Sequence, residues 1–276
     1  MTFSIVARSA DGQSWGVAVA SKFLAVGSAV PAAVAGIGAI ATQALANVSY
    51  KAQALAHLDE GATAPVALQR LLDDDEGREQ RQVGIVDLDG TAATHTGSAC
   101  LDWAGGETGN GVAIQGNILT GPEVIAAMRA SWDGGDPGAP LAHRLVAALR
   151  AGDEAGGDRR GRESAAVLVV REGGGLGGFD DVEVDLRVDH HDDPVTELET
   201  LLAVHGTYFP HVPVDERVPD SAELLAELDG RARSLGLPGL VEWMGQHNLE
   251  GHGGHDWTAR AVVERLRADT PDWRHD

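Results

Sequence analysis

Apolar residues in the first part of this chain come in short, nearly continuous runs, and helical spacing begins only near position 49. Residues 3–8 and 14–20 read as two strands joined by the turn Ser9-Ala10-Asp11-Gly12-Gln13. Gly16-Val17-Ala18-Val19-Ala20 is apolar almost throughout, as a strand buried on both faces requires, and residues 36–43 repeat that pattern. Helical periodicity then covers residues 49–58 and, after Gly61, residues 64–72. Strands resume at 82–87 and 91–95 around the hairpin turn Asp87-Leu88-Asp89-Gly90, followed by a short buried strand at 111–115. Helices are expected at 122–131, where Pro122 and Glu123 suit a first turn, and at 141–151. Strands at 164–171 and 182–189 and a helix at 194–204 complete the pattern. Helices segregated from paired strands predict an α+β layered fold rather than βαβ winding.

The pattern breaks over residues 206–219, a Pro-containing stretch read as a linker. Beyond it, residues 221–235 and 256–268 have amphipathic helical spacing around Leu240-Val241-Glu242-Trp243. The expected division is a domain over 1–205, the linker, and a small helical appendage over 220–276. No internal repeat is visible.

Charge narrows the function classes. The chain carries 42 acidic residues against 21 Lys and Arg, a net charge of −21. Nucleic acid is thereby excluded as the main partner, since a phosphate backbone needs a basic surface. Lys22 and Lys51 are the only lysines. An acidic, lysine-poor surface suits a salty cytoplasm, and a GC-rich genome depletes lysine equally well. Cys100 is the only cysteine, so neither a disulfide framework nor a cysteine zinc site is expected. His252-Gly253-Gly254-His255 has no further ligands near it and reads as a solvated loop. No charged apolar leader opens the sequence and no apolar run reaches membrane length, so a cytoplasmic protein without a membrane partner is expected. Neither metal nor cofactor is called for. Apolar, Gly/Ala-rich sheets make homo-oligomers plausible.

The candidate chemistry begins at Thr2. Methionine aminopeptidases accept small second residues, and removal of Met1 leaves Thr2 with a hydroxyl and a free α-amine. A hydroxyl becomes a useful nucleophile when a base takes its proton, and the N-terminal amine of threonine can be that base. Its ordinary pKa near 8 leaves a useful fraction unprotonated at neutral pH. The plain alternative is a β-favouring residue at a strand start.

With Thr2 and several later segments taken together, the chain resembles domain-of-unknown-function family 1028, an N-terminal-nucleophile (Ntn) hydrolase-like group. The resemblance rests on residues 2–7, residues 16–27 with Ala20-Ser21-Lys22-Phe23-Leu24-Ala25-Val26-Gly27, and Ala41-Thr42-Gln43-Ala44 with Asn47 and Tyr50. It continues through residues 93–100 with His95-Thr96-Gly97, Gln115-Gly116-Asn117, Gly121-Pro122-Glu123-Val124, residues 156–165 and Val184-Asp185-Leu186-Arg187-Val188-Asp189, covering about residues 2–205. It implies a four-layer αββα sandwich with Thr2 as the nucleophile at the start of a central strand. Lys22 then lies in the turn where such enzymes keep charged site residues. The turn Ala20-Ser21-Lys22 lacks the aspartate, and residues 34–42 lack the lysine, of proteasome-type members. The appendage resembles a peptidoglycan-binding module through residues 240–243 and Asn248-Leu249-Glu250.

The remaining site residues follow from the chemistry of acyl transfer. Lys22 can keep the α-amine neutral by adding positive charge nearby. An oxyanion needs donors, and Asn117 is the first side-chain choice, with Gln115, Asn47 and backbone amides near Gly97 behind it. His95 is a further acid, base or substrate donor, or simply a histidine satisfied at a strand end. In Gly156-Gly157-Asp158-Arg159-Arg160-Gly161-Arg162, guanidinium forks suggest grip on a substrate carboxylate, with Asp158 among them, or arginines paired with the protein's own acids. The leading expectation is a cofactor-free amidohydrolase for a small, carboxylate-bearing amide. A non-catalytic binding protein of the same fold and a ring-forming threonine peptidase remain as alternatives.

Overall fold

The structure, a computed structural model, describes residues 2–210 and 212–274. They fall into two compact units, residues 2–175 with 179–202, and residues 176–178 with 203–274. The first unit is built from β1 (Thr2–Arg8), β2 (Ser14–Ser21), the single turn α1 (Val26–Ala29), β3 (Pro31–Val34) and β4 (Gly38–Ala44). Then come α2 (Tyr50–Asp59), α3 (Ala64–Asp73), β5 (Arg81–Asp87), β6 (Ala92–Thr96), β7 (Gly105–Gly109) and β8 (Val112–Asn117). Helices α4 (Glu123–Gly134) and α5 (Leu141–Glu154), strands β9 (Ser164–Arg171) and β10 (Val182–Val188), and helix α6 (Pro194–Tyr208) follow. It is a mixed helix-and-sheet fold with antiparallel sheets.

One sheet has six strands in the order β10-β9-β2-β1-β8-β7, the other four in the order β3-β4-β5-β6. Side chains along a strand alternate between faces, so each central strand serves two cores. Phe3, Ile5 and Ala7 of β1 pack with Met128 of α4, Leu145 and Leu149 of α5, and Leu198 of α6. Val6, from the opposite face of β1, joins Val17, Val19, Ala39, Ala41 and Val86 in a cluster drawn from both sheets. Ile40 and Ile85 of the four-stranded sheet pack with Tyr50, Leu58, Leu68 and Leu71 of α2 and α3. Burial on both faces explains the continuous apolar runs of β1, β2 and β4.

The expected strands and helices of this unit match the observed ones to within a few residues at each end. Two strands escape the sequence pattern, and both lie at sheet edges. Strand β3 begins with Pro31, tolerated where no neighbour needs the missing N–H, and β7 is the glycine-rich run Gly105-Gly106-Glu107-Thr108-Gly109.

The second unit corrects two expectations. Residues 206–219 do not form a structureless linker, because they include the end of α6 and strand β11 (Arg217–Pro219). Strand β11 pairs with β12 (Trp257–Ala259), so the helix expected from residue 256 starts only at α9 (Arg260–Asp269). With α7 (Ala222–Ser234) and α8 (Leu240–Gln246), these elements enclose Leu228, Trp243, Val263 and Leu266. Glu227 accepts hydrogen bonds from Arg267 and Arg231, and that pairing, the Arg267 bond above all, pulls its carboxyl down to about 2.

Candidate functional site

Antiparallel pairing sets Thr2 opposite Asn117 of β8 and Phe3 opposite Ala20, which brings Ser21 alongside Thr2. Ser21 in turn is opposite Ser164 of β9. One end of the six-stranded sheet therefore carries the row Ser164, Ser21, Thr2, Asn117, all buried. Alternation gives Thr2 the same face as Ser4 and Val6, the face turned to the other sheet.

Across the gap, Gln43 of β4 and Gln82 of β5 are paired neighbours, and Gln82 is paired with Thr96 of β6. The two rows are bonded to each other. The Thr2 hydroxyl is 3.1 Å from the Ser21 hydroxyl, and the Thr2 carbonyl accepts from Gln43 Nε2 at 3.2 Å. Gln43 Nε2 also donates to Gln82 Oε1 at 2.8 Å, and Gln43 Oε1 accepts from Ser4 at 2.7 Å. Gln82 Nε2 donates to the Gly116 carbonyl at 2.7 Å and to Thr96 Oγ1 at 2.9 Å. Asn117 Nδ2 donates to Gln82 Oε1 at 2.9 Å, and Gln115 Nε2 to Ser4 Oγ at 2.6 Å. Every side chain in this cluster is a hydroxyl or an amide, so it fixes the strand end without placing a charge there. Gly84, in the middle of β5, makes room for it: a Cβ there would come 2.1 Å from Gln115 Oε1.

The residues expected at the site divide. Thr2, Asn117 and Gln115 are brought together. Asn117 spends its amide on Gln82 and, at 3.5 Å, on the Thr2 carbonyl, so it positions β1 rather than offering an open oxyanion donor. Gln115 is fully enclosed and bonded to Ser4, which removes it from substrate contact. His95 lies on the opposite face of β6 from Thr94 and Thr96, and its Nε2–H reaches the Arg78 carbonyl at 3.0 Å. It is a satisfied strand-end histidine.

Lys22 has partners of its own. Its ammonium donates to Glu163 at 2.7 Å and to the Arg162 carbonyl at 2.9 Å, and the Lys22 bond, with a lesser one from His190, holds the Glu163 carboxyl below its usual range. The arginine loop likewise pairs with the protein's own acids. Arg162 grips buried Asp153 at 2.9 and 2.8 Å. Asp158 accepts the Lys22 and Arg160 backbone N–H groups, each at 2.8 Å, and faces the Arg160 guanidinium at 3.3 Å. Arg159 is exposed, and its guanidinium makes no ion pair among the described residues. The open depression beside this loop is lined by Asp153, Glu154, Asp158 and Asp192 with Arg162 alone opposing them, a poor place for a carboxylate.

Asn47 belongs to a separate clasp. Its Oδ1 accepts from Ser49 Oγ at 2.7 Å, and its Nδ2 reaches Asp75 at 3.4 Å. Asp75 also accepts from Arg81 Nε and Tyr50 OH, each at 2.8 Å. The Arg81 bond above all holds the Asp75 carboxyl far below the usual carboxylate range, while burial and then Asp75 push the Tyr50 phenol up. A depressed folded-state pKa means that this stabilisation is present above the ordinary carboxylate pKa and lost as pH falls through the folded value. Asp75→Asn is expected to cost about 2–3 kcal/mol at neutral pH. Thermal melts should show the gap to the parent narrowing from about pH 4 downward. A gap that stays constant to pH 3 removes Asp75 as the acid-sensitive element.

Sequence reasoning missed Ser21, Gln43 and Gln82 as members of the site. A signal existed: Gln43 shares strand phase with Ala39 and Ala41, and Gln82 with Gly84 and Val86, so each glutamine sits on an inward face. A glutamine in that phase must find partners inside.

The family of unknown function DUF1028 matches residues 2–198, and the chain belongs to that family. Its shared fold is represented by protein SPO2555 from Silicibacter pomeroyi, a DUF1028 structure with 32% sequence identity and a TM-score of 0.67, covering 74% of this chain and 89% of that one. Anbu (ancestral beta-subunit) from Yersinia bercovieri aligns at 10% identity and a TM-score of 0.33, over 77% of this chain and 100% of that one. No curated protein matches the chain. Among the described residues, no helix is long and apolar enough to cross a membrane, and no group of three or more His, Cys, Asp or Glu could hold a metal ion.

Proposed function

We propose that this protein is an Ntn-type amidohydrolase that cleaves the C–N bond of a small amide with Thr2 after Met1 is removed. The single observation that carries the reading is the placement of Thr2: first residue of a central strand, facing the second sheet, with its carbonyl pinned by Gln43 and its hydroxyl 3.1 Å from Ser21. The apolar clusters on either side of each sheet support reading the order helices, sheet, sheet, helices as the αββα sandwich of that class.

In the proposed reaction the Thr2 hydroxyl attacks the amide carbonyl while the α-amine takes the hydroxyl proton. Collapse of the tetrahedral adduct breaks the C–N bond, and the amine leaves with that proton, leaving an ester on Thr2. Water then attacks the ester, the α-amine again accepting a proton, and the acid departs with Thr2 restored. Ser21 holds the hydroxyl, while Gln43, Gln82 and Asn117 hold the strand end.

The neutral surroundings make a specific pH prediction. The side chains named above around Thr2, namely Ser21, Gln43, Gln82 and Asn117, are hydroxyls and amides, and Thr2 itself is buried. In the proposed mechanism the freed α-amine, whose ordinary pKa lies near 8, must be unprotonated to act as base. Turnover should rise with pH along a single ionisation near 8, and Lys22→Met should leave that limb in place because the Lys22 ammonium is held by Glu163. An alkaline shift of the limb in Lys22→Met returns Lys22 to the catalytic group. A cluster of hydroxyls and amides also suits a non-catalytic binding protein, and a processed chain that binds amides without turning them over selects that second reading.

A further inference from the structure

Ser21 touches Thr2, and the loop that carries the three arginines holds Ser21 in place. The Ser21 carbonyl accepts from the Glu163 N–H at 3.1 Å, and the N–H of the next residue, Lys22, donates to Asp158 Oδ2 at 2.8 Å. Asp158 is buried and is itself fixed, since its Oδ1 accepts from the Arg160 N–H at 2.8 Å and its backbone is bridged to Leu119. Leu119 lies two residues beyond Asn117, so one loop is tied to the ends of both strands that flank β1.

The mechanism gives the contact between Thr2 and Ser21 a direction. At 3.1 Å between the oxygens, either hydroxyl could be the donor. Each hydroxyl has one proton and two lone pairs. A Thr2 proton that passes to the α-amine cannot also be donated to Ser21, so in the reacting state Ser21 donates and Thr2 Oγ1 accepts. The Phe23 N–H fills a lone pair of Ser21 Oγ at 3.0 Å, which turns the Ser21 proton away from Phe23.

We infer that Ser21 is a catalytic hydrogen-bond donor to the nucleophile, and that the loop over residues 156–163 serves the site by positioning Ser21 through Asp158. The inference rests on the amidohydrolase reading and adds a residue and a role to it. Ser21 keeps its own proton throughout. Its donated bond leaves one Thr2 lone pair for attack and strengthens as negative charge builds on Oγ1 while the Thr2 proton leaves for the α-amine. The same bond favours departure of Oγ1 when water breaks the ester. Asp158 touches no reacting atom and acts by fixing the Lys22 N–H, and with it the backbone of Ser21. Lys22→Met keeps that N–H, in line with its expected indifference above.

The probe is a peptide epoxyketone, whose ketone is attacked by the hydroxyl of an N-terminal threonine before the α-amine opens the epoxide. Adduct formation is followed by intact mass on the processed parent, Ser21→Ala, Ser21→Thr, Asp158→Ala and the double variant of Ser21→Ala with Asp158→Ala. Reagent concentration is varied so that the maximal rate kinact separates from the half-saturation KI, and each protein is melted as a control. Ser21→Ala should lower kinact by about ten- to a hundredfold, the worth of a charge-assisted hydrogen bond, with KI unchanged. Ser21→Thr keeps the hydroxyl and should recover most of that loss. Asp158→Ala should also lower kinact, yet add nothing in the double variant, because two residues acting through one bond are not additive. Where Asp158→Ala does not fold, Asp158→Asn, which keeps one acceptor oxygen, takes its place. A parent-like kinact in Ser21→Ala, a loss that falls on KI instead, an equal loss in Ser21→Thr, or full additivity in the double variant overturns the inference alone. A parent that forms no adduct on Thr2 removes the amidohydrolase reading and the inference with it.

Discussion

Thr2→Ala is expected to lower amide turnover by about 10⁴-fold or more, the scale seen when a catalytic nucleophile is deleted. The fold should survive. Thr2 contributes one hydroxyl pair with Ser21, a hydrogen bond worth about 1 kcal/mol, whereas its carbonyl bond to Gln43 belongs to the backbone and remains. Thr2→Ser keeps both hydroxyl and amine and should keep measurable turnover. Because alanine and serine are also small second residues, Met1 should be removed from all three proteins alike, so that the comparison isolates the hydroxyl. The measurement is kcat/KM together with the melting temperature. Parent-like turnover in Thr2→Ala ends the nucleophile assignment.

The second large effect is structural and falls on Gln82. Its amide donates to Thr96, Gly105 and Gly116 and accepts from Gln43 and Asn117, with no part of the side chain exposed. Gln82→Leu keeps the volume and strands at least two of those partners, each costing about 1–3 kcal/mol when left unsatisfied in the interior. A loss of about 3 kcal/mol or more is expected, which lowers the melting temperature by roughly 6–12 °C in a unit of this size. Since Asn117 and Gln43 both reach the Thr2 carbonyl, turnover should fall as well. A Gln82→Leu protein with a parent melting temperature means that the cluster is not the clamp on β1.

Much of the fold is legible in the sequence because the two sheets bury both faces of their central strands. That requirement writes itself into runs such as Gly16–Ala20 and into the apolar phases of β1 and β4. Edge strands face no such demand, which is why β3 and β7 leave little trace. Strand β12 is short and takes its partner β11 from forty residues earlier, so its local spacing reads as the start of α9.

The candidate site is legible in its proposed nucleophile and less so in its support. Thr2 declares itself by position. Lys22 draws attention by its rarity, yet its partner Glu163 lies 141 residues away in sequence and only folding brings them together. The three arginines look available for a ligand until Asp153 and Asp158 are seen beneath two of them. Gln43 and Gln82 went unread for a related reason: a lone glutamine in an apolar strand shows that it needs a partner but not which one, and here the partners are each other.

The most direct measurement is the intact mass of the purified protein before and after treatment with a peptide epoxyketone, an electrophile that closes a ring only with an N-terminal residue offering both hydroxyl and α-amine. The account predicts a mass lacking Met1, one adduct per chain mapped to Thr2, and no adduct on Thr2→Ala. A chain that retains Met1 and still turns over amides, or an adduct on any other residue, contradicts it.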